Sequence, residues 1–350
     1  QAGESSTLYF RASAPVAITT GNHTFTVSAK NADLEDTVER VIPIKRNETA
    51  ESTATAGSSK TDNATEYVFI PDGVVADKGG VTVRAQASLA FFLTDAISYM
   101  AQFPYGCSEQ MASKLSTLAV LKRANSLGGI GSKFTLPEIV FEGTSYKVDG
   151  AIASGLERIY ENQTAEGGFS YYQGMEPDLA LSVHMLHTLV DLKEAGFAVR
   201  AGVISRASDY IGTSLENRLG STPYPIDTDD LIAGAYSLAR VSNSSVTLDK
   251  FAGKISSRIT PAYLSETISS SALVNLALLV PLVPSLQSHE VLVWKTIDNR
   301  IDIDSRGAYM KSKNSNIRWN YYETPVKNTA LLVKAISLRK VQYANMDSML

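Results

Sequence analysis

PYGCSEQMASKLSTLAVLKRANSLG, from Pro104 to Gly128, carries the only cysteine of a 350-residue chain. Pro104 biases Phe103 away from helix and Gly106 supplies a permissive backbone, so a sharp turn is expected just before a helix that begins near Cys107. From Met111 onward apolar residues recur three and four apart, and Gly128 is a stop signal. The same spacing extends outward through SLAFFLTDAISYMAQF before it and, after it, through DGAIASGLERIYEN, DLALSVHMLHTLVDLKEAG, DDLIAGAYSLARV and NTALLVKAISLRK. Asp149, Asp178 and Asp229 stand at helix starts and Gly196 at a helix end.

A loose repeat runs through this helical part. An apolar or small residue followed three positions later by an apolar one recurs as Leu186/Leu189, Ala235/Leu238, Leu273/Leu276 and Ala335/Leu338, roughly forty to sixty residues apart, the span of one two-helix unit. Stacked helical hairpins make an open superhelix or a closed ring. The small, apolar character of SSSALVNLALLV and DDLIAGAYSLA suits inner helices touched on every side, so a closed α/α toroid is expected.

The first ninety or so residues read differently. Segments 7–12, 23–29, 37–44, 66–70 and 80–84 are short, rich in Val, Ile, Phe, Tyr and Thr, and separated by Gly, Asn, Asp and Pro, which predicts strands. Between Asn47 and Thr65 no apolar side chain is larger than alanine, so that stretch is expected to be a linker. The fold class predicted is mainly α with a smaller β part.

Composition bounds the function. Hydrophobic residues make up 44% of the chain, enough for a sizeable core, and at about 150 residues per domain two domains are expected. Net charge is −4 with basic residues scattered, so the electrostatic footprint of a nucleic-acid binder is missing. No apolar run approaches the ~20 residues of a membrane span. One cysteine excludes an internal disulfide. The start at Gln1, without a methionine or a leader, suggests a processed or excised piece. Five Asn-x-Ser/Thr sequons, at Asn22, Asn47, Asn63, Asn162 and Asn243, carry little weight in so Ser/Thr-rich a chain.

What can Cys107 do at a helix start? Residues three apart share a helix face, which sets its sulfur beside the carboxamide of Gln110, and the helix N-terminus favours a thiolate. One outcome is a nucleophile acting on an outside substrate, which needs a histidine base. None of His23, His184, His187 and His289 has a local motif suggesting such pairing. The other is attack on Gln110 itself, expelling ammonia and leaving an internal thioester. That needs only near-attack placement, worth about 7–11 kcal/mol, and is the reading the residues favour. His184 and His187, at i and i+3, could offer two metal ligands, but no third ligand motif accompanies them, so neither metal nor cofactor is expected.

PYGCSEQ resembles the thioester motif of the alpha-2-macroglobulin and complement superfamily, Gly-Cys-x-Glu-Gln, in the form with a preceding Pro-Tyr common in bacterial members. EGGFSYYQG (Glu166 to Gly174) with the helix pattern after it is similar to the family's Gly-Gly-Phe loop and next helix, and YETPVKNTALLVKAI to its last long helix. The resemblance covers roughly 81–340. It implies a thioester domain with an α/α-toroid fold, preceded by β-sandwich pieces, macroglobulin-like and CUB-like. The implied domains are 1–46, the end of a macroglobulin-like β domain; 47–84, linker and first part of a CUB-like sandwich; 85–340, the toroid; and 341–350, the start of the return to the sandwich.

By the same resemblance Cys107 and Gln110 are the two ends of the bond, Glu109 matches a charged position beside them, and Ser108 fills the variable one. A thioester needs shielding from water, and Tyr105, Phe169, Tyr171, Tyr172, Trp319, Tyr321 and Tyr322 are the candidate pocket aromatics. Members that prefer hydroxyl targets carry a histidine about a hundred residues beyond the cysteine. Here that stretch, Gly220 to Asp230, has none, so amines are the expected targets. The whole protein is then expected to be an extracytoplasmic protease trap, secreted, periplasmic or surface-anchored through other parts. It would capture proteases covalently through lysine amines by a single-use acyl transfer, which is not enzymatic turnover, and its other partners would be macroglobulin-like domains of the same protein. Neither nucleic acid nor membrane contact is expected of this piece. The alternatives are a thioester adhesin and an α/α-toroid enzyme in which Cys107 is structural.

Overall fold

A computed structural model of the chain describes residues 5–13, 20–45, 49–55, 63, 65–74, 79–83, 85, 99–100, 103, 106–126, 139–141, 144–221, 226–241, 245–304, 307–313, 323–339, 343 and 349. They form two units, Gln1–Asp77 and Lys78–Leu350. The architecture is mainly helical with a small sheet part.

Among its described residues the first unit holds one antiparallel hairpin. Strands β1 (Gly21–Lys30) and β2 (Glu35–Ile44) pair in register from Gly21 with Ile44 to Lys30 with Glu35. Asn31 sets the turn, its Oδ1 accepting from the backbone N–H groups of Asp33 at 2.9 Å and Leu34 at 2.8 Å, an Asx turn. Both faces are exposed, Val27 and Val41 among them. Segments 7–12, 66–70 and 80–83, expected to be strands, carry no strand: their β-forming side chains have no neighbouring strand to pair with among the described residues. Of the expected linker, residues 49–55, 63 and 65 are described and have no regular structure.

The second unit is built from nine described helices: α1 (Ser108–Ser126), α2 (Val148–Glu161), α3 (Leu179–Glu194), α4 (Ala201–Leu219), α5 (Thr228–Val241), α6 (Ser245–Arg258), α7 (Ser270–Leu279), α8 (Glu290–Asp298) and α9 (Pro325–Arg339). Two small hairpins join them, β3 (Ile139–Phe141) with β4 (Thr144–Tyr146), and β5 (Ile301–Asp304) with β6 (Gly307–Met310). The expected helix SLAFFLTDAISYMAQF lies outside the described residues apart from Tyr99, Met100 and Phe103.

The helices alternate between two rows. Odd-numbered helices pack on one another in succession, α1 on α3, α3 on α5, α5 on α7 and α7 on α9. The even ones line their outside, α2 on α1, α4 on α3 and α5, α6 on α5, α8 on α7. Burial follows from this placement. α3 buries residues all round its axis, Leu181, Ser182, Val183, Met185, Leu186 and Leu189 among them, whereas α4 buries one stripe, Val203, Ile204, Ala207, Ile211 and Leu215. The repeated residue pairs of the sequence all fall on odd helices, and of these residues only Leu338 is exposed.

The inner row also bends back on itself. On α3, Asp191 takes Arg240 of α5 on Oδ1 at 2.7 Å and Lys334 of α9 on Oδ2 at 2.9 Å, tying the second, third and fifth inner helices at one carboxylate. Burial alone would raise the Asp191 pKa, but the two cations hold it below the ordinary value. His187, one turn earlier, is pushed down to about 3 by burial and by the same two cations, so it stays neutral.

Candidate functional site

The start of α1 is set by its own side chains. Cys107 occupies the cap position: its carbonyl accepts from the Met111 N–H at 2.9 Å, and its N–H donates to Oε1 of Gln110 at 3.2 Å. A glutamine three residues into a helix, reaching back to the cap N–H, is one half of a capping box, with cysteine standing where serine or threonine is usual. The same bond that ends the helix holds the Gln110 carbonyl against the residue that bears the sulfur. Cys107 is a buried thiol, while Glu109 and Gln110 are partly exposed and Gly106 is open to solvent.

Ser108, at the variable position, is almost fully buried. Its N–H donates to the Tyr171 carbonyl at 3.0 Å and its Oγ to the Ser170 carbonyl at 2.6 Å, while Asn162 Nδ2 donates to that Oγ at 2.9 Å. Two bonds thus clamp the first residue of α1 to the Gly-Gly-Phe loop, and the third ties it to Asn162 at the C-terminal end of α2. The loop is held on its other side by close approach to α4. Gly167 has φ +95°, and a Cβ there would meet the Arg206 carbonyl oxygen at 2.4 Å; one on Gly168 would meet the Tyr210 ring at 2.6 Å. Only glycine fits both places.

The expected pocket aromatics fall in different surroundings. Phe169 is fully buried in the core, its N–H donating to Ser182 Oγ at 2.8 Å and its carbonyl accepting from Asp178, the cap of α3. Tyr171 is partly buried and packs against the core beside the α1 terminus. Tyr172 is exposed. Tyr105, Trp319, Tyr321 and Tyr322 lie outside the described residues, as does Pro104. Farther along α1, Lys114 is buried and donates from Nζ at 2.9 Å to the carbonyl of Phe103, eleven positions earlier and ahead of the helix start.

A histidine that sequence reasoning left aside stands close by. Glu109, whose Oε1 accepts from Ser113 Oγ at 2.9 Å, has that oxygen 4.0 Å from His184 Nε2 on α3. Part of the imidazole is exposed, but Nε2 is sealed from solvent and has no hydrogen-bond partner among the described residues. Burial lowers the His184 pKa, Glu109 opposes that, and Lys327 from the first turn of α9 adds to it. Lys327 is exposed at the surface, yet the atoms crowded around it lower its pKa against the pull of Glu109 and Glu323. Nothing in the sequence around His184 signalled this meeting, because its partners are 75 and 143 positions away along the chain (184 − 109 and 327 − 184). His187 faces elsewhere, toward Arg240 and Tyr236. Among the described residues no group of three His, Cys, Asp or Glu could hold a metal ion, and no helix is long and apolar enough to cross a membrane.

The stretch Gly220 to Asp230 leads into α5. Residues 222–225 lie outside the described part; beyond them, Asp229 accepts from the Tyr263 hydroxyl at 2.7 Å and the Ser269 N–H at 2.9 Å. Asp230 beside it is pushed up to about 6 by burial and by Asp227 and Asp229.

No family model matches the chain. A curated alpha-2-macroglobulin of Xylella fastidiosa is 29% identical over 155 residues, which is 44% of the chain and 9% of that protein. One of Thermotoga maritima is 26% identical over 129 residues, 37% of the chain and 7% of that protein. The matched stretch is therefore less than a tenth of either relative. Among solved structures, native alpha-2-macroglobulin from Escherichia coli, spanning domain MG7 to the C-terminus, superposes with TM-score 0.50 at 18% identity over 73% of the chain and 37% of that one. Salmonella alpha-2-macroglobulin reacted with methylamine gives 0.51 at 17% over 73% and 15%. In sequence over part of its length and in fold over most of it, the chain is similar to the bacterial-type alpha-2-macroglobulins.

Proposed function

We propose that the chain is the thioester-bearing part of a protease trap and that Cys107 and Gln110 are joined as an internal thioester. The observation that carries this is the bond from the Cys107 N–H to Gln110 Oε1, which keeps the acyl carbon beside the buried, sulfur-bearing residue. Joining them forms a bond from Cys107 Sγ to Gln110 Cδ and releases ammonia, taking up the thiol proton. The cap N–H, aimed at the carbonyl oxygen, is suited to stabilising the oxyanion of the tetrahedral intermediate. A target amine reverses the sense: its nitrogen bonds to Cδ and the sulfur leaves.

The alternation of inner and outer helices supports an α/α toroid whose inner ring is α1, α3, α5, α7 and α9. Its β companions are the macroglobulin-like piece 1–46 and the CUB-like piece 47–84, with 85–340 as the toroid and 341–350 as the return. The backbone of Ser170 and Tyr171 fixes the thioester's seat, Phe169 anchors that loop in the core, and Tyr172 faces outward, where a neighbouring domain could close over it. Tyr105, Trp319, Tyr321 and Tyr322, outside the described residues, remain the other candidates for the cover. The trap works outside the cytoplasm, acylates lysines of the protease that springs it, and acts once per molecule. A solved relative from Salmonella is described as reacted with methylamine, which makes that amine the natural probe.

Two reactions test the target class. The protein should consume methylamine faster than glycerol, and a strong preference for glycerol would overturn the amine reading. The longer protein mixed with active proteases should yield covalent conjugates that survive denaturation. Their absence, with the thioester intact, would overturn the trap.

A further inference from the structure

The geometry points to Glu109 and His184 as a proton-relay pair for the Cys107–Gln110 acyl transfer, with His184 Nε2 the atom that takes up and returns the proton. This rests on the thioester reading above. Two helices of the inner row meet here: α1 brings Glu109, adjacent in sequence to the acyl-bearing Gln110, and α3 brings His184; the charge of Lys327, from α9, acts on both. The relevant nitrogen is shut off from solvent and unbonded among the described residues, 4.0 Å from Glu109 Oε1. A buried polar atom left unpaired is costly, about 1–3 kcal/mol, and such a cost is retained where the atom has a use.

The chemistry requires a proton carrier. When a lysine amine attacks, a nitrogen–carbon bond forms at Gln110 Cδ, the carbon–sulfur bond breaks, and one proton must leave the nitrogen while one is needed by the departing Cys107 sulfur. His184 accepts the first and supplies the second, so no net proton and no electron are exchanged with the medium. Closure of the bond uses the same relay in the opposite direction, from sulfur to departing ammonia. Glu109, bonded to Ser113, orients the imidazole and stabilises its charged form while it holds the proton. The charges that act on His184 are Glu109 from α1, Lys327 from α9, and Asp191 on its own helix; His187, one turn on, is neutral. With burial and Lys327 lowering its pKa, the imidazole is neutral near neutrality and able to accept.

The test uses the full chain with methylamine, reading thiol release and intact mass together. Wild type must first be one ammonia lighter than its sequence; if it is not, the thioester reading itself fails. Given that deficit, His184→Gln and Glu109→Gln should each slow thiol release about tenfold or more, and the double variant should be no slower than the slower single. Corrected for the fraction of free amine, the wild-type rate should fall on acidification below the ordinary histidine value of about 6.5, the His184→Gln rate should not, and Lys327→Met should move the wild-type inflection upward. A folded His184→Gln protein without the mass deficit also supports the relay, since closure needs it too; should that variant not fold, Glu109→Gln decides alone. Variant rates within twofold of wild type, additive losses, or an unchanged inflection would overturn the proposal.

Discussion

At the scale of single residues, the site depends on side chains whose value is positional. Gly167 is the clearest: alanine there must adopt a positive φ and place its Cβ 2.4 Å from a backbone oxygen that cannot rotate away. Gly167→Ala should therefore destabilise the helical unit by about 3 kcal/mol, read as a lower denaturation midpoint. Ser108→Ala removes a hydroxyl that serves the Ser170 carbonyl and the Asn162 amide, and should cost about 1–3 kcal/mol in the same measurement. Sequence made Cys107 and Gln110 legible, because their spacing alone brings them together on one helix turn. Ser108 was not legible: its importance comes from the Gly-Gly-Phe loop, 62 positions away. His184 was hidden for the same reason.

Among the elements, inner helices were easier to read than outer ones. α1, α3, α5 and α9 carry dense apolar spacing because they are touched on several sides, while α4 and α6 bury narrower faces and are diluted with Ser, Gly and Thr. β-rich segments 7–12 and 66–70 misled, since a strand's pattern records fitness for a sheet and supplies no partner. The start of α5 gives a prediction at this scale. Asp230 has a folded pKa of about 6 against an ordinary 3.8, so the folded state binds its proton more tightly and stability falls as pH rises between those values. Asp230→Asn should therefore stabilise the protein by roughly 1–2 kcal/mol at pH 7, with the gain vanishing near pH 4; urea midpoints at the two pH values check this.

For the whole molecule, the two-row order of helices follows from the repeat seen in the sequence, but what gathers the inner row is a polar hub with no sequence signature. Asp191 holds α5 and α9 to α3 through Arg240 and Lys334. Asp191→Asn leaves two cations without their shared anion and should cost about 2 kcal/mol, discounted because the carboxylate is about one-third exposed. Its folded pKa is depressed, so that contribution is present at neutral pH and lost as pH falls through the folded value; the gap between variant and wild type should close in acid. The proposed trap, which would have to keep an activated acyl group waiting, would need such a rigid frame around it.

Peptide mapping of Gln110 tests the central claim most directly. After native protein is treated with methylamine and its thiols are alkylated, mass spectrometry of the fragment spanning Cys107 to Gln110 should show a methylamide at Gln110 and an alkyl group on Cys107; when the protein is denatured and the bond hydrolysed before the amine is added, Cys107 should still be alkylated but Gln110 should carry a free carboxylate in place of the methylamide. An unmodified carboxamide at Gln110 in native, amine-treated protein would contradict it.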